Sequence, residues 1–258
     1  MPPLVAAFLK RVPVILHEQN LTPGWANRFC ALFAKKIAVS FPETEKFFPG
    51  KSLLVGNPVR EELWGMDPER SRRSLGLEEN RPTILVFGGS AGAKSINGLI
   101  SESLGQLLDL REKVQFVHLT GNGDETQKLK EKYGQVGFHS TVMDYCDRMN
   151  DCYAAATFAV CRSGASTVAE LIATRTPAIL VPYPHAAGNH QRKNASFLEK
   201  LGCAATIVES EGSGSQLVKK IREMVSSDGL LSRMRENFGK FPVSVRDAAR
   251  KLSDAVMG

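Results

Sequence analysis

The sequence predicts an α/β protein built on a doubly wound parallel sheet, and three observations carry that reading. Short runs rich in Val, Ile and Leu alternate with longer segments of helical period. Those runs are near-continuously apolar rather than alternating, as strands covered on both faces are. Several of them end in polar, glycine-containing loops that lead into a helix, where open parallel sheets bind ligands.

The expected strands are Val12–Leu16, Lys36–Ser40, Ser52–Gly56, Thr83–Phe87, Val114–Leu119, Thr157–Cys161, Ala178–Val181 and Ala204–Val208. The first helix is expected over Pro23–Ala34, with Thr22 as N-cap and Pro23 at its first position. Further helices fit Lys94–Leu108, Thr167–Ala173, Gln191–Leu201 and Ser215–Ser226. The charged stretch Glu61–Arg81 reads as a linker carrying a short helix. Residues 1–62 then form part of a first domain, 63–240 a complete second one, and 241–258 a helix packing back toward the first part. A complete domain holds about 100–150 residues. The first part therefore reads as a partial domain, docked on the larger one or lacking something in front.

Composition narrows the function classes. The chain of 258 residues is 43% hydrophobic and 23% charged, an ordinary globular mixture. No apolar run approaches the roughly 20 residues that span a bilayer. Met1–Leu9 is short, and its positive charges follow the apolar stretch, the reverse of a signal peptide. These features predict a soluble cytosolic chain. Five cysteines without a C-x-x-C predict reduced thiols rather than a disulfide or zinc scaffold. The net charge of +6 suggests an anionic partner: a phosphorylated metabolite, an acidic membrane surface or nucleic acid. Nucleic acid fits least, because the basic pairs are scattered and no aromatics lie between them.

Three loops and one strand end carry the candidate chemistry. Gly88-Gly89-Ser90-Ala91-Gly92-Ala93 follows a strand and opens a helix, so its backbone and the helix N-terminus can take an anion; a tight strand–helix turn is the plainer reading. It is neither G-x-G-x-x-G nor a P-loop. In Cys161-Arg162-Ser163-Gly164-Ala165-Ser166-Thr167, Ser166 and Thr167 start a helix and suit a phosphate. Glu170, one turn on, suits a pair of ribose hydroxyls, although Thr167 as a cap and Glu170 as a dipole partner explain the same letters. Gln191 and Asn194 share a helix face suited to sugar hydroxyls. His17-Glu18-Gln19-Asn20 sets four polar side chains where an apolar strand stops. Asp-X-Asp, H-E-x-x-H and a serine-hydrolase elbow are absent, so no metal or other cofactor is expected.

Five blocks taken together resemble the MurG family of GT-B glycosyltransferases. They are His17-Glu18-Gln19-Asn20, Gly56-Asn57-Pro58-Val59-Arg60, Gly88-Gly89-Ser90-x-Gly92-Ala93, Cys161-Arg162-Ser163-Gly164-Ala165-x-Thr167-Val168-x-Glu170 and His190-Gln191-x-x-Asn194-Ala195, in that family's order. The resemblance implies a GT-B fold with a complete C-terminal Rossmann-like domain and a partial N-terminal one. It implies inverting, metal-independent transfer of N-acetylglucosamine from UDP-GlcNAc to an undecaprenyl-diphosphate-linked muramoyl-pentapeptide, peripherally, at the cytoplasmic face of a bacterial membrane. Donor contacts carried over are Asn20, Arg60, Ser90, Cys146, Gly164, Ala165, Ser166, Thr167, Glu170, His190, Gln191 and Asn194. Cys146 stands where relatives commonly have Ile, touching uracil through the backbone, and Gly188 where they often carry a polar residue.

The family's opening G-G-T-G-G-H loop and second glycine-rich loop have no match before Met1-Pro2-Pro3. The sequence therefore suggests a chain whose N-terminal segment, or a partner in its stead, is needed for turnover. His17 is the histidine left at a suitable strand end for a general base, whereas the resemblance puts the favoured base in the unmatched segment. A donor-binding subunit without turnover and a UDP-GlcNAc 2-epimerase are the alternatives.

Overall fold

The computed structural model describes residues 2–89 and 94–257, so the expected contact Ser90 and its neighbours to residue 93 lie outside the described residues. In chain order the elements are α1 Pro2–Leu9, β1 Ile15–Glu18, α2 Trp25–Cys30, β2 Lys36–Val39, β3 Ser52–Leu54, α3 Pro68–Ser74, β4 Thr83–Phe87, α4 Lys94–Ser103, β5 Gln115–Leu119 and α5 Gly123–Val136. There follow β6 Ser140–Met143, α6 Met149–Ala155, β7 Phe158–Cys161, α7 Ala165–Thr174, β8 Ala178–Leu180, α8 His190–Lys200, β9 Ala204–Thr206, α9 Ser213–Ser226, α10 Leu230–Asn237 and α11 Ala248–Met257.

Two parallel sheets result. The first has the order β1-β2-β3 and the second β6-β5-β4-β7-β8-β9. Numbered within itself, the second runs 3-2-1-4-5-6, the doubly wound dinucleotide-fold order, whose switch point falls between β4 and β7. Every residue of β4 is buried, and alternate side chains serve opposite faces. Leu85 and Phe87 join α6, α7 and α8 in one core. Ile84 and Val86 join α4, α5 and α9 in the other. This two-sided burial is why the strand reads as an unbroken apolar run.

Several boundaries move from the sequence expectation. β1 starts at Ile15 rather than Val12, because Arg11 takes a positive φ of 57° and Pro13 has no N–H to give a ladder. α2 starts at Trp25 behind Gly24, so Thr22 is not its cap. α4 ends at Ser103 and gives way to a 3-10 turn over Leu104–Gln106. α1, α5, α6, α10 and β6 were not expected. Within the charged stretch, Asp67 caps α3 by accepting from Glu69 and Arg70 N–H groups at 3.1 Å. The Ser71 hydroxyl donates to Asp151 on α6 at 3.2 Å.

The carboxyl edges of the two sheets meet at one fully buried residue of α8, Asn194. Its Oδ1 accepts the Leu21 N–H at 3.1 Å, and its Nδ2 donates to Asn20 Oδ1 at 3.1 Å and to the Ser163 carbonyl at 3.2 Å. Beside it, Phe41, Phe197 and Phe241 stack edge to face with centroids 5.1–6.2 Å apart. The chain end also returns to the first sheet, where α11 lies against β2. At Gly56, with φ of 88°, a Cβ would stand 3.2 Å from Val243 and 3.4 Å from Ala248, so glycine is required there.

Asn194→Ala should leave three partners across this seam unmatched. We expect a loss of about 1–3 kcal/mol, read as a lower urea midpoint, together with faster proteolysis near residue 20.

Candidate functional site

A cleft of about 240 Å³ opens at the switch point of the larger sheet. Its floor is the ends of β4 and β5 (Phe87, Gly89, Leu119, Gly121), and one wall is the turn after β6 (Asp144, Tyr145, Cys146) with Met149 of α6. The opposite wall is the N-terminal half of α7, with Ser166 and Thr167 in its first turn and Glu170 one turn on, and Arg60 reaches in from the segment that joins the two sheets. Gly89, at φ of 95°, turns the chain out of β4. Larger hollows of about 340 and 500 Å³ lie under α2 and beside Trp64. Neither sits at the carboxyl edge of the larger sheet, so its topology selects the smaller cleft.

Charge within the cleft is organised by Glu170. Its Oε2 accepts the Tyr153 hydroxyl at 2.9 Å. Burial pushes its carboxyl up from the ordinary range, opposed by the Tyr153 hydrogen bond and by the Arg60 guanidinium. The ionised form is therefore the costly one, and that cost falls as pH drops toward the raised pKa. The Tyr153 phenol, buried beside this carboxylate, is itself pushed up and stays a donor. The other polar side chains lining the cleft are the Ser166, Thr167 and Tyr145 hydroxyls, the Cys146 thiol, the Asp144 carboxylate and the Arg60 guanidinium. α7 has Gly164 as N-cap with no side-chain cap hydrogen bond, so its first-turn N–H groups and dipole add positive potential beside Ser166 and Thr167.

The fold supports these groups from beneath. Arg162, 6% exposed, donates to the Val181 carbonyl at 2.9 Å and to Ser95 Oγ at 2.6 Å. It pairs with Glu209 at 2.8 Å and lies over the Tyr183 ring at 5.4 Å. One planar fork thus fixes the first turn of α4 against the end of β8. Under the same edge His118 is fully buried: Nε2 meets Asn97 Oδ1 and Nδ1 meets the Tyr133 hydroxyl, each at 3.1 Å. Burial pulls its pKa down to about 3, so the ring is neutral, with Nε2–H donating and Nδ1 accepting.

The expected site residues divide into two groups. Arg60, Cys146, Ser166, Thr167 and Glu170 come together in the cleft, and Gly164 and Ala165 begin the helix that walls it. Asn194 and Asn20 belong instead to the seam. Both Asn194 amide atoms are spent there, and Asn20 divides its amide between Asn194 and Glu18. Asn194, expected to suit sugar hydroxyls, and Asn20, expected to approach the donor from across the cleft, are thus placed at the seam and not among the residues lining the cleft. Gln191 Oε1 accepts the Tyr183 N–H at 2.9 Å, and its Nε2 donates to no protein group among the described residues. His190 turns Nδ1 to the Ala187 carbonyl.

His17 does not line the cleft. Its Nε2 meets the Gly56 carbonyl at 3.0 Å and Ser40 Oγ at 3.2 Å, and burial lowers its pKa. Glu18 organises the strand end by accepting from Asn20 N–H at 2.9 Å and Asn27 Nδ2 at 2.8 Å. The sequence reading missed Asp144, Tyr145, Met149 and Tyr153. The signal that could have found the first two was a strand at Ser140–Met143, needed to complete a six-stranded sheet. Among the described residues, no three His, Cys, Asp or Glu side chains gather as a metal-ligand set.

Two parallel α/β sheets meeting at their carboxyl edges, with a cleft at the larger sheet's switch point, define the GT-B class of glycosyltransferases. Comparisons with known proteins agree. The glycosyltransferase family 28 C-terminal domain matches residues 83–252, and the N-terminal domain of the same family matches residues 1–39. The chain belongs to glycosyltransferase family 28.

A UDP-N-acetylglucosamine–N-acetylmuramyl-(pentapeptide) pyrophosphoryl-undecaprenol N-acetylglucosamine transferase of Thermodesulfovibrio yellowstonii is 38% identical over 90% of the chain and 64% of its own length. Its namesake in Thermoanaerobacter sp. is 39% identical over 97% of the chain and 69% of its length. The chain thus spans about two thirds of the length of these relatives. Acinetobacter baumannii MurG superposes with a TM-score of 0.78 at 26% identity, covering 99% of this chain and 70% of that one. A UDP-GlcNAc 2-epimerase from Neisseria meningitidis reaches 0.70 at 14% identity, over 98% of this chain and 72% of that one, which is likeness of fold alone.

Glu170→Ala should weaken uridine binding about ten- to a hundred-fold, the worth of one or two hydrogen bonds to a charged group, while free uracil loses little. Uridine has no group that titrates in acid. Its affinity should therefore fall with pH beginning above the ordinary glutamate range, and Glu170→Gln should flatten that limb; calorimetric titration reads both.

Proposed function

We propose that the cleft binds UDP-N-acetylglucosamine and that the full-length protein transfers its sugar to an undecaprenyl-diphosphate-linked N-acetylmuramoyl-pentapeptide, making lipid II for peptidoglycan. The observation that carries the reading is Glu170 opposite Arg60 at the start of α7, in the cleft of a chain 36–40% identical to relatives of that name. The carboxylate suits the two ribose hydroxyls. Arg60, the Ser166 and Thr167 hydroxyls and the α7 N-terminus suit the diphosphate, whose charge grows as it leaves. No resident metal or other cofactor enters this account, because those groups supply positive potential where the leaving charge develops.

The sugar extends from the diphosphate toward the α8 side of the cleft, where the free half of the Gln191 amide can meet its hydroxyls. There the acceptor 4-hydroxyl attacks the anomeric carbon as the bond to UDP breaks, with inversion. We assign His17 to holding the edge of the small sheet rather than to proton transfer, since its Nε2 is engaged by Gly56. The chain spans about two thirds of its relatives' length, and acceptor groups and a base are not assigned among these residues. For the 258 residues alone the reading is a donor-binding unit.

No helix among the described residues is long and apolar enough to cross a membrane. The outer side of α2 supports a peripheral association with the cytoplasmic membrane face. Trp25 and Leu32 are 86% and 71% exposed, and Arg28 lies over the rings of Trp25 and Phe47 with Lys35 and Lys36 exposed nearby. Apolar anchors ringed by cations suit anionic headgroups.

Calorimetry should show UDP and UDP-GlcNAc binding to the chain; no binding of either would end the nucleotide reading. Transfer to a lipid I analogue is expected to be negligible from the 258 residues alone. Anionic vesicles should sediment the chain in low salt and release it in high salt, and Trp25→Ser should reduce the bound fraction. Equal binding to neutral vesicles would remove the electrostatic part of the proposal.

A further inference from the structure

Glu170 reaches the cleft with one oxygen already engaged. The Tyr153 hydroxyl donates to Oε2 at 2.9 Å, and among the described residues no other protein group donates to the carboxylate. Tyr153 is 2% exposed and is not among the residues lining the cleft; its ring meets Phe87 edge to face, with centroids 5.8 Å apart. The phenol thus stands behind the wall and touches the site through Glu170 alone.

The phenol is itself held firmly. It belongs to α6, where Asp151 accepts the Ser71 hydroxyl of α3 at 3.2 Å and pairs with Arg148 at 2.6 Å. Its ring rests on Phe87 of β4, the strand that supplies the floor. A donor fixed by two elements therefore sets the rotation of a carboxylate carried by a third, α7. The two carboxylate oxygens become unequal acceptors: Oε1 keeps its lone pairs free, whereas Oε2 shares its charge and one direction of approach with the phenol.

We propose that Tyr153 is a positioning residue for the nucleotide, orienting the Glu170 carboxylate and making it an asymmetric acceptor, so that the ribose hydroxyl paired with Oε1 is read more strongly than its neighbour. This deepens the nucleotide reading above and rests on it.

The same hydrogen bond favours the ionised carboxylate, as does the Arg60 guanidinium, against the burial that raises Glu170. Glu62 borders this space from the linker side, and Asp144, Tyr145, Cys146, Asp147 and Arg148 border it from the turn after β6. The Cys161 thiol faces it from β7, pushed up by its own burial and by Glu170. Without the phenol's hydrogen bond, the acid form of Glu170 persists to higher pH, and that form has fewer lone pairs to offer two hydroxyls.

The test titrates uridine, 2′-deoxyuridine and 3′-deoxyuridine into the whole chain and into Tyr153→Phe across a range of pH. In the unsubstituted chain, removing one hydroxyl should cost about tenfold in affinity and removing the other about threefold or less. Tyr153→Phe keeps the ring on Phe87. It should lower uridine affinity about tenfold at neutral pH and bring the two deoxyuridine losses within about twofold of each other. It should also move the acid limb of uridine binding to higher pH. A purely structural contribution would lower all three ligands alike at every pH, and that result overturns the proposal, as does a variant that binds like the parent. Equal losses for the two deoxyuridines in the unsubstituted chain overturn it as well, however the variant folds. A chain that binds no uridine at any pH refutes the nucleotide reading itself, an outcome distinct from uridine binding without the asymmetry.

Discussion

Asn194 is the constraint on which the rest of the structure depends. A single buried amide accepts from the loop after β1 and donates both to that loop and to the loop after β7. It is satisfied on both ends, as a buried amide must be to avoid a desolvation cost of about 1–3 kcal/mol per lost partner. Because its partners are mostly backbone, it fixes loops rather than side chains. The two loops it fixes are those that the sequence marks as bearing chemistry. The aromatic trio of Phe41, Phe197 and Phe241 then seals the apolar side of the same seam.

Given that seam, the cleft follows from topology. A 3-2-1-4-5-6 order sends the connections after β4 and β7 to opposite faces, leaving a crevice between them. α7 directs its N-terminal positive end into that crevice, and Glu170 sits one turn further on, where it can face a neutral sugar rather than a phosphate. Tyr153 holds this carboxylate in place at the cost of burying it, which is why its pKa rises. Arg162 and His118 contribute beneath the floor: one is a cation tied to Val181, Ser95 and Glu209, the other a ring kept neutral.

Much of this was legible in the sequence. β4 was read to the residue because burial on both faces leaves an unbroken apolar run bounded by Pro82 and Gly88. Ser166 and Thr167 were legible because they open a helix after a strand end, with Glu170 one turn on, whereas Arg60 came only with the family resemblance. α5 was missed although Asn122 caps it and Gly137 ends it in a left-handed turn, since only Thr126, Leu129 and Tyr133 bury a narrow apolar stripe. β6 was missed because Ser140 and Thr141 make a half-buried edge strand look like a loop. The place of Asn194 in the seam was not legible, for a different reason. Three residues from Gln191 on a polar helix face, it carries no local sign that its partners lie more than 170 residues earlier in the chain.

The return of the chain end to Gly56 bears on modular engineering. Val243 and Ala248 pack against the small sheet although they follow the large one in sequence. Exchanging sugar-donor halves between family members by a single crossover near residue 62 would therefore swap the tail as well, mating a foreign helix to the resident strand. A chimaera that respects this geometry needs two splice points, the second ahead of Phe241, so that the tail is inherited together with the surface it covers.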